Sequence, residues 1–539
     1  MFIKLERFGG LVPRYIPSLI NDTQASLAYN VNLKGSILEP FREPKEVEVT
    51  DIDCIRTLHR LPNCCFLSFK EDCVSIARWL PTCERVYITG LKEYPVVASV
   101  GDSCNLEYKR VGLPKPEPLK VTYSENTPKE QTSVLRSYVY TYVDSFGGEG
   151  QPSEATEVTL VDPKTIGHID FPTPPSGWDI DGINLYRLTQ EFNDGSQEGY
   201  SEYHLVARLN LVFDFDDDVS EDELTETLSS TQYAPPPDGL ENITALPNGV
   251  LFGSVGNEIW FTAPYEPQAW LKKYTLVLDD EVRGLKYSNG NIYALTDGHP
   301  YVIGLEVDKN NQRSVLRIPY PAPIISIKSL VEVPNGVIYA TTSGLVNVSQ
   351  SRVSVLTSPW FSKDDWASIH PNTLAGAIVE GKYLGSTDRL SFLFDLRLNA
   401  ENDGIDNNDF MPITLSFNAL YASDSGELYV AMGNVIGQWD AGVNYLKYMW
   451  KSKDLELGSD VCLSGAKVNL VDYSYPLKAS DSLEVSLEGD DRVIFQRDIN
   501  NSKAFRLPSN RRYQKINIKI SGKLRVKSLE IGASFKELR

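Results

Sequence analysis

Hydrophobic and polar positions alternate in short runs through the middle of the chain, and each run follows a turn that contains glycine. This turn-and-strand pattern occurs five times, and its glycines lie 41, 46, 45 and 45 residues apart. The five segments are 248–252, 289–293, 335–339, 380–384 and 425–429. A period of about 40 to 50 residues with strands and Gly turns is typical of β-propeller blades. The repeat therefore predicts an all-β fold with a propeller of about six blades.

The repeat also extends backwards, because residues 61–67 align with residues 246–252. The two turns, at Cys64 and Gly249, are 185 residues apart, which is far more than one blade needs. An insertion of about 120 residues is therefore expected, in addition to one long blade. Whether a seventh blade forms around residues 85–90 stays open.

The insertion is predicted at residues 116–236, between proline-rich stretches at 114–118 and 235–237 that favour extended linkers. Alternating runs predict strands within it, and the glycine-rich residues 147–150 predict a turn. The predicted strands are 136–143, 156–160, 183–188 and 203–207. Short strands with frequent turns over about 120 residues indicate a β-sandwich of the fibronectin type III kind.

A further β-rich module of about 90 residues follows the last blade. Two strands, turned at Ser521 and Gly522, are predicted to point aliphatic side chains into a core and basic side chains outward. The basic residues are Lys515, Lys519, Lys523, Arg525 and Lys527. They are a candidate partner-contact face, for DNA or for an acidic patch on a neighbouring subunit; a solvated strand face is the alternative.

These patterns divide the chain into four predicted domains. They are N-terminal strands with the first blade (1–115), the fibronectin type III-like insert (116–236), the remaining blades (237–445) and a C-terminal β-sandwich with a basic outer face (446–539). The best predicted helix spans residues 363–369, with Ser362 as its N-cap.

Charge is distributed unevenly along the sequence. The chain has 52 Lys and Arg against 72 Asp and Glu, a formal net charge of −20, which opposes adhesion to phosphate backbones and anionic membranes. From Lys503 to Arg539, however, eleven basic residues face two acidic ones. Opposite charges at separate ends suit packing against copies of the chain or against partners. Neither a signal-peptide core nor an apolar run of 18 residues occurs, so no membrane anchor is expected.

Six of the seven cysteines lie between Cys54 and Cys104, without any CxxC pair. This pattern gives little support for zinc and predicts free thiols buried in strands, in a protein that folds in a reducing compartment.

Several motifs resemble catalytic or ligand sites without completing them. Residues 376–382 match the first seven positions of a P-loop, but Tyr383 stands where Ser or Thr should bind Mg²⁺. Residues 422–429 resemble the Asp-box turn of sialidases, but such a turn occurs only once. Acidic segments at 214–226 and 401–409 are expected to be solvated loops, with Ca²⁺ binding left open. The prediction is a protein without enzymatic activity, catalytic residues, cofactor or metal.

The order of these parts resembles the tail nozzle proteins (tail tubular protein B) of short-tailed bacteriophages across nearly the whole chain. The matching segments are residues 8–14, 28–42, 140–153, 182–187 and 450–453. The resemblance implies a virion structural protein that assembles in the host cytoplasm into a hexameric ring at the distal tail. It also implies contacts with the tail adaptor and portal-side proteins and with fibres or spikes. Double-stranded genomic DNA would be retained by the ring and ejected through it without sequence recognition.

An alternative function belongs to another class. Propellers also include carbohydrate-binding and glycoside-hydrolysing proteins, which would act here in host receptor recognition. The absence of an assignable pair of carboxylates in the sequence disfavours the hydrolase.

Overall fold

The structure, a computed structural model, describes residues 2–33, 37–82, 84–101, 104–124, 133–191, 202–307, 313–350, 352–396, 410–471, 482–490, 492–509 and 511–538. It consists of two compact units. Unit 1 comprises 1–60, 66–72 and 317–539, and unit 2 comprises 61–65 and 73–316. The structure confirms the predicted all-β class, with propeller-type blades, an inserted β-sandwich and a C-terminal β-sandwich.

The strands are numbered in chain order. The first eleven are β1 Phe2–Leu5, β2 Ala25–Tyr29, β3 Val31–Asn32, β4 Glu39–Pro40, β5 Lys45–Val49, β6 Thr57–Arg60, β7 Phe66–Phe69, β8 Ser75–Arg78, β9 Arg85–Thr89, β10 Val96–Ser99 and β11 Lys109–Arg110. The insert contains β12 Lys120–Tyr123, β13 Val134–Val143, β14 Glu149–Pro152, β15 Thr159–Val161, β16 Gly167–Asp170, β17 Gly182–Glu191, β18 Tyr203–Asn210 and β19 Asp214–Asp217.

The middle strands are β20 Glu241–Ala245, β21 Leu251–Val255, β22 Glu258–Ala263, β23 Glu266–Trp270, β24 Leu276–Val277, β25 Val282–Ser288, β26 Asn291–Thr296, β27 Tyr301–Val307, β28 Arg313–Arg317, β29 Ser326–Val333, β30 Gly336–Thr341, β31 Gly344–Ser349, β32 Arg352–Val355, β33 Ala375–Val379, β34 Lys382–Ser386, β35 Ser391–Asp395, β36 Phe410–Ile413, β37 Ala419–Ala422, β38 Leu428–Met432 and β39 Val435–Gln438. The last strands are β40 Tyr448–Ser452, β41 Leu455–Val461, β42 Gly465–Leu470, β43 Leu483–Gly489, β44 Arg492–Ile499, β45 Phe505–Arg506, β46 Tyr513–Gly522 and β47 Val526–Gly532.

Six antiparallel sheets of four or five strands form the blades within the described residues: β8–β11, β20–β24 and β25–β28 in unit 2, and β29–β32, β33–β36 and β37–β39 with β5 in unit 1. The first strands of successive blades within a unit lie side by side, which is the packing expected of a propeller. The hairpin β6–β7 is a separate sheet of two strands, and β6 lies beside β37. Residues 85–90, the suggested seventh blade, contribute β9 to the sheet β8–β11.

The repeated turn always joins the first and second strands of a sheet. All five repeat glycines have positive φ angles, from 76° at Gly249 and Gly381 to 150° at Gly336. Cys64, the residue aligned with Gly249, also has a positive φ, at 71°, and lies between β6 and β7. Glycine adopts this conformation without a steric penalty, so the repeat reflects a backbone requirement. The backward extension thus holds for the turn and its hairpin, while the first blade sheet of four strands begins only at β8.

The last blade takes its outer strand from the N-terminal part of the chain. Strand β5 pairs with β39, so that Val49 lies opposite Val435 and Lys45 opposite Gln438. The sequence repeat could not predict this pairing, because β5 lies outside the repeated segments.

The insert contains two sheets. One has three strands in the order β12-β16-β19; the other has five, in the order β14-β13-β17-β18 with β15 paired to β13. Its core is rich in aromatic residues: Tyr138, Tyr140 and Tyr142 on β13 are buried, and the ring of Tyr140 packs edge-on against Phe171 at 5.2 Å. The alternation seen in the sequence thus corresponds to the strand predicted at 136–143.

The C-terminal sandwich contains the four-stranded sheet β1-β47-β42-β45 and a six-stranded sheet of β2-β40-β46-β43-β44 with β41. The predicted hairpin at Ser521 and Gly522 is wrong, because β46 and β47 belong to different sheets. The apolar alternation itself is correct, and Ile516, Ile518 and Ile520 are fully buried. Asn517 on the opposite face is also buried, and its Nδ2 donates a hydrogen bond of 2.9 Å to Asp454 Oδ1.

One predicted helix is present, α1 Lys363–Ser368, and Ser362 caps it by accepting a hydrogen bond from the backbone N–H of Asp365. Short 3-10 turns occur at Pro17–Leu19, Glu221–Glu223, Lys272–Tyr274, Pro371–Thr373 and Phe535–Leu538. Among the residues that the structure describes, none belongs to a helix long and apolar enough to cross a membrane.

Candidate interaction surfaces

The five basic residues predicted to form a partner-contact face do not share one face. Lys515 and Lys519 are half-buried on β46, Lys523 and Arg525 lie in the connection after it, and Lys527 lies on β47 in the other sheet. Of the five, Lys527 is the exposed one. A role in partner contact stays a prediction for these residues.

Two of these cations have acidic partners within unit 1. The Lys515 ammonium lies 3.4 Å from Asp454 Oδ2, and Arg525 forms an ion pair with Glu39. The hydrogen bond from Asn517 Nδ2 and the charge of Lys515 lower the pKa of Asp454. These pairings reduce the charge that Lys515 and Arg525 offer to another molecule.

A more exposed group of cations lies on β44 and β45 and in the loops on either side of β45, and four of its members belong to the basic segment that begins at Lys503. Its six members are Arg492, Arg497, Lys503, Arg506, Arg511 and Arg512. All are exposed, and none forms an ion pair with another described residue. β44 and β45 belong to different sheets, but the rings of Phe495 and Phe505 stack with centroids 5.2 Å apart, which brings the two strands together. We call residues 492–509 and 511–512 the basic edge.

The acidic segment at 214–226 contains a buried ion network within the insert. Arg187 and Asp217 are fully buried, and Arg187 Nη1 lies 2.5 Å from Asp217 Oδ2. Arg136, also buried, donates from Nη2 to Glu221 Oε1 at 2.7 Å, and Arg187 Nη2 lies 3.0 Å from Glu221 Oε2. The Tyr138 hydroxyl donates to Asp217 Oδ2 at 2.7 Å.

This network corrects the expectation of a solvated acidic loop or Ca²⁺ site at Asp217 and Glu221, because two arginines occupy their carboxylates. Other acids of the segment, such as Asp218 and Asp222, are exposed as expected. Among the described residues, no group of three or more His, Cys, Asp or Glu is arranged to hold a metal ion. The acidic segment at 401–409 lies outside the described residues.

The insert contacts the blade β8–β11 through aromatic and charged side chains, all within unit 2. The Phe146 ring, in the turn after β13, lies 4.3 Å from the Arg85 guanidinium. Arg110 stacks at 3.6 Å on Trp178, and Lys109 Nζ lies 3.2 Å from Asp179. Such cation–π contacts strengthen when they are removed from water. We call this contact the insert joint.

Asp144 closes the same turn, and its Oδ1 accepts hydrogen bonds from the backbone N–H groups of Phe146 and Gly148 at 2.9 and 2.7 Å. Burial raises the pKa of Asp144 to about 6; the nearby Asp179 carboxylate adds to this effect, and the two backbone donors oppose it. The insert joint therefore contains a carboxyl group that titrates near pH 6.

Two cysteines are joined, contrary to the prediction that all are free thiols. Cys65 and Cys104 form a disulfide with a Cα–Cα distance of 5.5 Å. The same two loops are linked by a hydrogen bond of 2.6 Å from Asn63 Nδ2 to the Gly101 carbonyl. The predicted burial of the thiols is also wrong at Cys64, which is exposed. Cys83 lies outside the described residues.

The two catalytic look-alikes are blade turns, as predicted. Residues 376–382 form the hairpin of β33 and β34, so the strand, loop and helix of a P-loop are not formed there. At the other turn, Glu427 Oε2 accepts a hydrogen bond of 2.7 Å from the Tyr429 hydroxyl and lies 2.8 Å from Arg60 Nη1. The Tyr429 hydrogen bond, followed by the Arg60 charge, lowers the pKa of Glu427.

A pocket of about 250 Å³ opens beside this turn within unit 1. Its lining combines three carboxylates, two amides, one ammonium group and buried aromatic rings. The polar side chains are those of Asn32, Glu380, Lys382, Glu427, Gln438 and Asp440. Hydrogen-bonding groups around an apolar floor are typical of small-molecule sites.

Comparison with known proteins does not assign a family. No family model and no curated protein matches the chain. Among solved structures, PorZ, a surface component of the type-IX secretion system of Porphyromonas gingivalis, is 10% identical, with 83% of this chain and 72% of that chain covered and a TM-score of 0.26. The AfRom2 CNH domain is 10% identical, with 71% of this chain and 100% of that chain covered and a TM-score of 0.25. Kluyveromyces lactis Hsv2 is 11% identical, with 64% of this chain and 97% of that chain covered and a TM-score of 0.23.

Proposed function

We propose that this chain is a structural component of a phage tail, a nozzle subunit that assembles as a ring and conducts genomic DNA. One observation carries the proposal: an inserted sandwich follows the first blade, further blades follow the insert, and a second sandwich ends the series. The same order underlies the resemblance to tail nozzle proteins. Within the described residues, the most conspicuous charged cluster, at Arg187 and Asp217, is buried and serves packing.

The net charge supports the same function. Six copies of a chain with charge −20 carry −120 together, so an acidic channel would repel the phosphate backbone and keep DNA from sticking. DNA would then pass without sequence recognition, because no base-reading element is needed.

Negative-stain imaging and native mass measurement of the purified protein test the ring. Antibody labelling of virions tests its place at the distal tail. We expect closed rings of about six subunits and label at the tail tip. A protein that stays monomeric and is absent from virions would refute the proposal.

The pocket beside Glu427 favours one second candidate, carbohydrate binding in receptor recognition. Its carboxylates and amides match the hydroxyl groups of a sugar, and its volume suits about one ring. The lowered pKa of Glu427 favours binding over hydrolysis, since a glycosidase acid needs a raised pKa. A glycan array with the wild type and Gln438→Ala decides this: binding that the substitution abolishes supports it, and no binding to any glycan rejects it.

A further inference from the structure

Within the part of unit 1 that the structure describes, two strands have one edge without a neighbouring strand. Strand β5 is the last strand of its blade and pairs with β39 alone, and all five of its residues are exposed. Strand β44 is the last strand of the six-stranded sheet and pairs with β43 alone. Its register with β43 is regular over five residues, Phe495–Ile499, which matches the length of β5. Open strand edges present unpaired N–H and C=O groups to any strand that approaches.

The two edges carry opposite charges. Residues 43–53, which we call the acidic edge, contain five exposed carboxylates and one cation, a formal charge of −4. The basic edge has six cations and one carboxylate, a formal charge of +5. On the strands themselves, Glu46 and Glu48 face the solvent on β5, and Arg492 and Arg497 on β44; none of the four forms an ion pair with a described residue.

Charge on an edge strand usually protects it against pairing with other strands. Here the two edges carry charges of opposite sign, so the protection acts only between edges of like charge. Two copies of β5 repel each other, as do two copies of β44, whereas β5 and β44 attract. Apolar groups add to the attraction, because Val47 and Val49 on one edge and Val493 on the other are exposed by 45%, 57% and 59%.

We propose that β5 of one copy pairs with β44 of a second copy, so that the acidic edge binds the basic edge of the next subunit. The contact joins two different surfaces, so every subunit keeps one free edge for the next, and repetition gives a ring when the rotation closes. Pairing need extend over only about five residues; side-chain charge then selects the partner edge. The inference rests on the self-association that the proposed function requires, and it names the surfaces.

Charge reversal tests the pairing. One variant carries Glu46→Lys with Glu48→Lys, and the other carries Arg492→Glu with Arg497→Glu. Sedimentation velocity over a range of concentrations should show wild-type association that weakens with salt, and at least about tenfold weaker association for each variant alone. An equimolar mixture of the two variants should associate again, because each then offers the edge that the other lacks.

Matched controls change the same charge away from the edges. Glu84→Lys with Glu93→Lys and Lys120→Glu with Lys164→Glu alter exposed residues of unit 2 and should leave association unchanged. Thermal melts followed by circular dichroism verify folding. If a reversal variant unfolds, Glu46→Gln with Glu48→Gln replaces it, with a weaker expected loss.

Three outcomes would overturn the pairing: a monomeric wild type, reversal variants that associate normally, or a mixture that stays dissociated. The proposed function is judged separately. If the charge-reversal variants still form rings in virions, the edge pairing is refuted and the nozzle function is not. If association depends on the two edges but the protein is missing from virions, the nozzle function is refuted and the edge pairing is not.

Discussion

At the scale of single residues, the insert keeps two arginines in its core at the cost of desolvating them. Arg187 and Arg136 are buried, and their hydrogen bonds go to Asp217, Glu221 and backbone carbonyls. A buried pair of this kind adds little net stability, but removing one partner leaves an uncompensated charge. The sequence showed only an acidic run at 214–226, because the arginines that neutralise it lie on β13 and β17, far away in the chain.

Replacement of Arg187 by Met should therefore destabilise the insert by about 3 to 5 kcal/mol, because Asp217 stays buried without its cation. Hydrogen exchange of β13 and β17 under native conditions measures this. Arg208→Ala is the matched control: its pair with Glu226 is exposed by 62% and 57%, so the change should cost no more than about 1 kcal/mol. Equal effects of the two substitutions would contradict the network.

Asp144 should make the insert joint sensitive to pH. Its pKa of about 6 lies above the value of about 3.9 for an unfolded aspartate, so the folded state binds the proton more tightly. Stability is then greatest below about pH 4 and decreases as the pH rises through 6, by up to about 3 kcal/mol.

Asp144→Asn should remove this dependence, since the amide oxygen still accepts from Phe146 and Gly148. Denaturant unfolding at pH 4.5 and 7.5 provides the comparison. Asp162→Asn changes an aspartate at another turn of the insert, where Oδ1 accepts a hydrogen bond from the Lys164 N–H at 3.1 Å; it serves as control and should keep the wild-type pH profile. If the stability of Asp144→Asn still decreases as the pH rises, the pH dependence belongs to another group.

At the scale of elements, the blade turns were predictable and the outer strands were not. The turn glycines need positive φ angles, so the sequence repeats them wherever a blade begins its second strand. Strand β5 and the separation of β46 from β47 depend on long-range pairing, which local alternation does not encode. The basic face was misplaced for the same reason: alternation separates the two faces of one strand, but it does not show that β46 and β47 belong to different sheets.

Gly381→Ala should cost about 1 to 2 kcal/mol, because alanine is strained at φ +76°. No atom lies within 4 Å of the added Cβ, so packing does not contribute. Gly101→Ala, where the space is equally open and φ is not in the left-handed range, should change stability by less than about 0.5 kcal/mol. Chemical denaturation measures both, and Gly381→Asn should recover part of the loss.

At the scale of the whole molecule, the sequence predicted the order of the modules and missed the covalent link in unit 2. Composition favoured free thiols, and only the proximity of two loops separated by 39 residues brings Cys65 to Cys104. Disulfides persist in oxidising surroundings such as virion surfaces. The bond is compatible with the proposed location once particles leave the cell.

Cys104→Ser should lower the free energy of unfolding of unit 2 by about 2 to 4 kcal/mol, as expected for a closed loop of this length. Reductant should lower the free energy of unfolding of the wild type by a similar amount and should leave that of the variant unchanged. Cys54→Ser is the control, because Cys54 is a half-buried free thiol. Peptide mapping without reductant that recovers Cys65 and Cys104 unlinked would refute the bond.

Because β5 pairs with β39, it cannot form this pair until β39 has been synthesised. About 390 residues separate Val49 from Val435, so at about 5 to 20 residues per second β5 emerges from the ribosome roughly 20 to 80 s before its partner. During that interval neither edge of β5 is paired with its native partner. Its glutamates then repel other nascent copies, so the charge that is proposed to select a neighbouring subunit would first keep unfinished chains apart.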